Sequence, residues 1–476
     1  MTTSTTSATP SKQTDAVTSN PNTEGDKPLK IAVVGAGPAG IYASDILIKK
    51  TGGNVDIDLL DRMPTPFGLI RYGVAPDHPR IKGIIKSLHR VLSNEKIRFI
   101  GNVEVGRTIS VEELKDHYDA VIFSTGAVDD RDLNIPGADL EGVWGAGEFV
   151  GFYDGNPHFE RNWDLSAEQV AVIGVGNVGL DVSRILAKTG DELKVTEIPD
   201  NVYESLAQNQ AHTVRVFGRR GPAEAKFTPQ ELKELDHSDT INVVVDPEDI
   251  DYDESGEAAR RASKSQDQVC QILEQYAMRD PKEAPHTLQI HFFENPVEII
   301  GKDGKVAALK TERTELTGDG NVQGTGEFTE WPVQAVYRAV GYRSVGIEGV
   351  PFDDQKHVIP NDGGHVLTEP HGEIVPSLYT TGWIKRGPVG LIGNTKSDAA
   401  ETIRMLLEDI EAGKLSAADN TDLVELLESR GVEVTNWEGF QLLDAREVAL
   451  GEAEGRERKK LVEFEEMLEA SRNPQS

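Results

Sequence analysis

Residues 30–61 read KIAVVGAGPAGIYASDILIKKTGGNVDIDLLD, and this stretch decides the fold. Ile31 to Val34 is a short apolar run that fits a buried strand, and Ile41 to Lys50 continues as a helix. Between them Gly35-Ala36-Gly37-Pro38-Ala39-Gly40 forms a G-x-G-x-x-G turn. The first glycine permits the tight turn, the second lets backbone approach a pyrophosphate, and the third lets helix and strand pack closely. Pro38 falls in the first helical turn, where its missing N–H costs least. Val55 to Leu60 alternates as a second strand, and Asp61 follows where an adenosine ribose needs an acceptor for its hydroxyls. Together these features make a dinucleotide site, without choosing between FAD and a nicotinamide cofactor.

A second such start settles that choice. Val170 to Ile173 reads as a strand leading into Gly174-Val175-Gly176-Asn177-Val178-Gly179, with a helix from Asn177 to Lys188. The next strand-like stretch, Thr213 to Phe217, ends in Gly218-Arg219-Arg220-Gly221 rather than in an acid. Two guanidinium groups at the ribose end offer charge-assisted contacts to a 2′-phosphate, which favours NADPH over NADH. Residues 189–211 make the spacing of this second unit atypical. Two dinucleotide sites fit a flavoenzyme better than a dehydrogenase, which needs only one. With FAD in the first and NADPH in the second, a hydride passes from nicotinamide C4 to flavin N5, driven by proximity and orientation. The reduced flavin can then release single electrons to a protein acceptor.

Composition agrees. A chain of 476 residues suffices for two or three domains, and 46 glycines with 38% hydrophobic residues suit an α/β enzyme. No apolar run is long enough to span a bilayer, so no membrane anchor is expected. Cys270 stands alone, which rules out an internal disulfide framework, a dithiol redox centre and an all-cysteine iron–sulfur site. No metal site is expected, and cytoplasmic residence fits. The formal charge is −31, from 80 acidic residues against 49 Lys and Arg, which disfavours nucleic-acid binding.

The remaining stretches set further expectations. Residues 1–27 read as a disordered tail. In 62–80, RMPTPFGLIRYGVAPDHPR, the side chains Arg71, His78 and Arg80 lie among small and apolar residues, which suits a cofactor-lining loop. Residues 81–93 have helical spacing, Ile97 to Ile100 and Tyr118 to Phe123 read as strands, and the latter ends in Ser124-Thr125-Gly126-Ala127. The region 128–160 reads as a crossover, 246–262 as a solvated acidic loop, and 314–330 as a further loop. Asp303-Gly304 marks a hairpin turn. Glu231 and Glu234 lie one turn apart on a short helix within 221–239. After the strand-like Leu378 to Thr381, a helix is expected from about Ser397, capped by Ser397 and Asp398, to Glu411. The final stretch, about 420–470, is helical and shows no catalytic constellation.

The chain resembles the adrenodoxin reductase-type ferredoxin–NADP reductases, a family related to the glutathione-reductase-like flavoproteins and distinct from the plant-type reductases. The resemblance runs in family order over about 28–470. Its most specific stretches are Pro66-Phe67-Gly68-Leu69-Ile70-Arg71-Tyr72-Gly73-Val74-Ala75-Pro76-Asp77-His78-Pro79 and Gly382-Trp383-Ile384-Lys385-Arg386-Gly387-Pro388. Gly176 to Asp181, Gly218 to Pro222 and Phe227 to Leu232 also match. The resemblance implies that Asp61 binds the FAD ribose and that Gly68, Leu69, Arg71, Thr125, Gly126, Gly382 and Trp383 line the flavin. Gly390 and Leu391 would place backbone near its pyrimidine ring. Gly176, Asn177 and Val178 would cradle the NADP pyrophosphate, Arg219 and Arg220 would take its 2′-phosphate, and Glu231 would anchor the nucleotide. His78, Asp181 and Glu234 are the catalytic candidates at the flavin–nicotinamide junction, as groups that position rather than as obligatory proton carriers. Gly179 and Gly393 depart modestly from the family pattern, and 189–211 and 246–262 depart more.

The expected architecture is therefore α/β, with two Rossmann-like domains. FAD is assigned to 28–127 plus 352–476, and NADP to an inserted 128–351. The expected activity is NADPH-dependent reduction of a ferredoxin-like electron-transfer protein by a chain for which a monomer is favoured. An acidic ferredoxin would dock on Arg71, Arg80, Lys82, Lys86, Arg90, Lys385 and Arg386. The alternative is an NADPH-dependent flavoprotein feeding another protein or a small-molecule acceptor, such as a monooxygenase or a subunit of a larger complex.

Overall fold

The computed structural model describes residues 27–78, 83–390, 392–419 and 421–472. The expected tail (bar Lys27), Arg80, Lys82 and Leu391 lie outside the described residues. Two sheets organise the chain. The first has seven strands in the order Asn361–Asp362, His365–Leu367, Ile374–Thr380, Ala120–Phe123, Leu29–Val34, Val55–Leu60 and Ile97–Ile100. Its central strands are parallel. The second has six parallel strands in the order Val143–Gly145, Ala335–Arg338, Gln169–Ile173, Thr213–Phe217, His286–His291 and Ile241–Val245.

Parallel strands covered on both faces are apolar along their length, as Ala120–Phe123 and residues 31–34 and 170–173 are, whereas Val55–Leu60 carries Asp56 and Asp58. Ile31 and Val33 face one core, while Ala32 and Val34 face another across the sheet. Val170 and Val172 repeat the arrangement against Ala171 and Ile173. The chain passes between the sheets through a small antiparallel ribbon, Asp129–Asp130 with Tyr342–Arg343. No helix among the described residues is long and apolar enough to cross a membrane.

Four readings are corrected. The 128–160 crossover contains the edge strand Val143–Gly145 and the helix Ala146–Tyr153, whose N-terminal N–H groups at Gly147 and Glu148 donate to Asp130. The acidic stretch 246–262 ends in a helix, Glu254–Ala262. Asp253 caps it, and its Arg260 pairs with Asp267 and Glu274 on the next helix. The 314–330 loop is largely strand: Lys305–Leu316 and Val322–Pro332 pair antiparallel. Together with Glu294–Lys302, joined at the expected Asp303-Gly304 turn, they form a three-stranded sheet. The helix expected from Ser397 begins at Ile392, because Asp398 is not its cap. That carboxylate instead accepts from the Gly382 N–H at 2.5 Å and the Thr381 hydroxyl at 3.0 Å.

Candidate active site

The two glycine turns are built alike. At Gly35 (φ +108°) a Cβ would lie 2.6 Å from Ser124 O, and at Gly40 it would lie 2.1 Å from Gly35 O. At Gly174 (φ +128°) it would meet Ala339 O at 2.3 Å, and at Gly179 it would meet Gly174 O at 2.5 Å. Close helix–strand packing therefore excludes any side chain at these four positions. The middle glycine of the second turn, Gly176, faces open space, and that of the first, Gly37, has only the Gly68 backbone, 4.0 Å away. Each opens at the start of a helix, Pro38–Lys50 or Asn177–Ala187, that carries no acidic residue in its first turn and no side-chain cap. Backbone N–H groups and the positive end of the helix dipole are left for an anion.

Around the first turn, the expected flavin-lining residues converge. Phe67 N–H donates to Ala36 O at 2.8 Å, which folds Gly68 and Leu69 over Gly37. Gly382 (φ +78°) approaches from the other side, where a Cβ would lie 2.7 Å from that of Ala39. Asp398 holds Gly382, and Trp383 stacks on Tyr342 with centroids 6.4 Å apart. Asp61 ends its strand with one carboxylate oxygen accepting from Ala36 N–H and the other from Met63 N–H. Burial raises its pKa, against the lowering effect of those two bonds. Asp61, Gly35, Thr125 and Gly126 line a cavity of about 330 Å³ that closes against Val345–Glu348. These residues fit an adenosine dinucleotide. Gly390 (φ +87°) is exposed, next to Leu391.

Around the second turn, Arg219 is exposed and Arg220 half-buried, and neither forms a salt bridge among the described residues. Their backbone is pinned: Gly218 N–H donates to His291 O, Phe293 N–H to Arg220 O, and the Thr314 hydroxyl to Arg219 O. Two guanidinium groups on a fixed loop suit a phosphate monoester. Asn177 Oδ1 accepts from Thr228 N–H at 2.9 Å, tying the turn to the loop that leads to Glu231.

Where the two halves meet, His78 is 3% exposed and surrounded by acids from the second half. Its Nε2 lies 3.0 Å from Asp181 Oδ1 and 2.6 Å from Glu231 Oε2, and its Nδ1 lies 2.5 Å from Glu234 Oε2. Burial lowers its pKa, but hydrogen bonds to Asp181 and Glu231 outweigh this and carry it up to about 9. Arg184 opposes part of that gain. The imidazole and carboxylate atoms of His78, Glu231 and Glu234 touch, so a metal with bonds of about 2.1 Å would have to push them apart.

Asp77 lies in a family stretch but carried no expected role, and Arg184 lies in none, yet the two hold this cluster. Arg184, 1% exposed, donates twice to Asp77 at 2.8 Å and lies 2.8 Å from Asp181. Lys188 adds a 2.9 Å contact to Asp77. Burial alone would raise the Asp77 carboxyl, but Arg184, Lys188 and His78 hold it far below the usual carboxylate range. The available signal was the successive i, i+3 and i, i+4 spacing that puts Asp181, Arg184 and Lys188 along one side of the helix.

Two residues are committed elsewhere. Arg71 is buried in a bidentate pair with Glu447, at 3.0 and 2.5 Å, and its carbonyl accepts from the buried Lys460 ammonium at 2.7 Å. Lys460 also lies 2.5 Å from Glu197, so the C-terminal segment straps the two halves together. Lys385 is buried against Asp398 and Glu401. A bare buried charge is too costly to leave unpaired, so neither cation reaches a docking surface. Among the described residues of that patch, Lys86 and Arg90 are exposed and Arg386 half-buried.

Comparison with known proteins follows the same lines. The pyridine nucleotide-disulphide oxidoreductase family model matches residues 29–216. The chain is 42% identical over 460 residues to NADPH-ferredoxin reductase FprA of Mycobacterium tuberculosis H37Rv, covering 93% of this chain and 99% of that protein. It is 37% identical over 461 residues to human mitochondrial NADPH:adrenodoxin oxidoreductase, covering 93% and 92%. The structure of Mycobacterium tuberculosis FprA in complex with NADPH superposes with a TM-score of 0.87 at 40% identity, over 94% of this chain and 100% of that one.

Proposed function

Since the chain belongs to the adrenodoxin reductase-type ferredoxin–NADP reductases, we infer that it is an FAD-dependent NADPH:ferredoxin oxidoreductase. The observation that carries this reading is one open glycine turn in each half of the chain, together with a buried cluster that joins the halves, His78 from the first and Asp181, Glu231 and Glu234 from the second. FAD, when bound, supplies the chemistry that connects a two-electron nicotinamide donor to a one-electron carrier.

The chain's own residues bind, orient and exclude water. The Gly35–Gly40 turn and Asp61 hold the flavin dinucleotide by its pyrophosphate and ribose, and Gly68, Leu69, Gly382 and Trp383 wall its ring. The Gly174–Gly179 turn and Arg219 with Arg220 hold NADPH. Protonated His78 faces Asp181 and Glu231 with Nε2 and Glu234 with Nδ1, and these contacts would fix the seam where the two cofactors meet. No nucleophile is required. The partner is an acidic ferredoxin-like protein that meets Lys86 and Arg90.

The test is reconstitution. Protein supplied with FAD should reduce cytochrome c with NADPH only when a ferredoxin is added, and NADH should serve poorly. Equal rates with and without every ferredoxin tried would refute the assignment of the partner.

A further inference from the structure

We propose that Lys226 is a pyrophosphate ligand of the nicotinamide dinucleotide, a third cation in addition to Arg219 and Arg220. This rests on the reading of the second glycine turn as the NADPH site. Lys226 N–H donates to Val175 O at 2.8 Å, and Lys226 pairs with Gly176 in an isolated parallel bridge. Two residues on, Thr228 N–H donates to Asn177 Oδ1. Residues 226–228 therefore run alongside the turn, held to it at both ends.

Side-chain direction follows from the extended backbone. Ala225 and Phe227 are buried, so alternation sends Lys226 to the opposite face, where it is exposed. Gly176 is open, with no atom within 4 Å of where a Cβ would sit. The adjoining helix start has neither a first-turn acid nor a side-chain cap to compete for an anion. Lys226 makes no salt bridge among the described residues, in a chain whose formal charge is −31. An unpaired ammonium beside an open anion cradle supplies the compact charge that the backbone N–H groups lack.

The location also separates its role from that of the arginines. Arg219 and Arg220 follow directly on the strand Thr213–Phe217, at the ribose end, whereas Lys226 is tied to the turn itself. The arginines thus read the 2′-phosphate, and the lysine reads the diphosphate common to NADPH and NADH.

Equilibrium titration of the FAD-loaded enzyme with NADP+ and with 2′-AMP, which lacks the diphosphate, tests the assignment. Lys226→Gln should weaken NADP+ about fivefold, as for one partly solvated charge-assisted contact. It should leave 2′-AMP unchanged, and Lys226→Arg should recover most of the loss. Arg219→Ala with Arg220→Ala should weaken both ligands. Unchanged NADP+ affinity in Lys226→Gln, or an equal loss for 2′-AMP, overturns the proposal. If the double arginine variant also binds both ligands normally, the NADPH reading itself fails instead.

Discussion

Arg184 grips Asp77 through two 2.8 Å hydrogen bonds, joining the helix of the second glycine turn to the loop that carries His78. Both side chains are buried, so the pair depends on both members. Arg184→Met should lower stability by about 3 kcal/mol, because it removes both guanidinium bonds to Asp77 and leaves that carboxylate only its Lys188 contact. Asp77→Asn combined with Arg184→Gln should recover part of that loss. Denaturant unfolding of the three variants measures this, and a double variant less stable than Arg184→Met would contradict the pairing.

The His78 cluster gives a pH dependence of known sign. The folded-state pKa is raised from 6.5 to about 9. Its contribution to stability is therefore fully present below about pH 6.5 and is lost as the pH rises through 9. Melting temperatures recorded from pH 6 to 10 should fall in that window for the native protein. His78→Gln should flatten the fall, and parallel curves would show that His78 is not the titrating group.

Both glycine turns were legible because the glycine spacing and the strand and helix that flank it are local in sequence, although the atoms that exclude a side chain at Gly35 and Gly174 belong to the distant Ser124 and Ala339. Residues brought together over long separations were not legible. Arg71 and Glu447 are 376 positions apart, and nothing near either announces the other. The strand Val322–Pro332 was hidden for another reason. It lies exposed at the edge of its sheet, with Gly324 and Gly326 in it, and shows no alternation of apolar and polar residues. Asp398 has the spacing of a helix cap, but its carboxylate is taken by Gly382, 16 residues away.

Coenzyme preference should rest on Arg219 and Arg220. Each charge-assisted contact to the 2′-phosphate is worth about 1.5–3 kcal/mol, so replacing both by alanine should cut kcat/KM for NADPH by at least about 100-fold. NADH should change little. Steady-state rates with both coenzymes decide it, and a parallel loss would place the arginines elsewhere than at the 2′-phosphate.

Docking of the electron acceptor should depend on Lys86 and Arg90, which are exposed near the flavin-lining loop. Lys86→Glu with Arg90→Glu should raise the KM for an acidic ferredoxin and weaken its salt dependence, while ferricyanide reduction stays unchanged. An unaltered ferredoxin KM would locate the docking face elsewhere.

The most direct measurement is anaerobic stopped-flow mixing of the FAD-loaded protein with NADPH, followed by a second mix with oxidised ferredoxin. The flavin absorbance should bleach in the first mix and return in the second as the iron–sulfur chromophore is reduced. A flavin that stays oxidised in excess NADPH would contradict the claim that this one chain brings the two dinucleotides together.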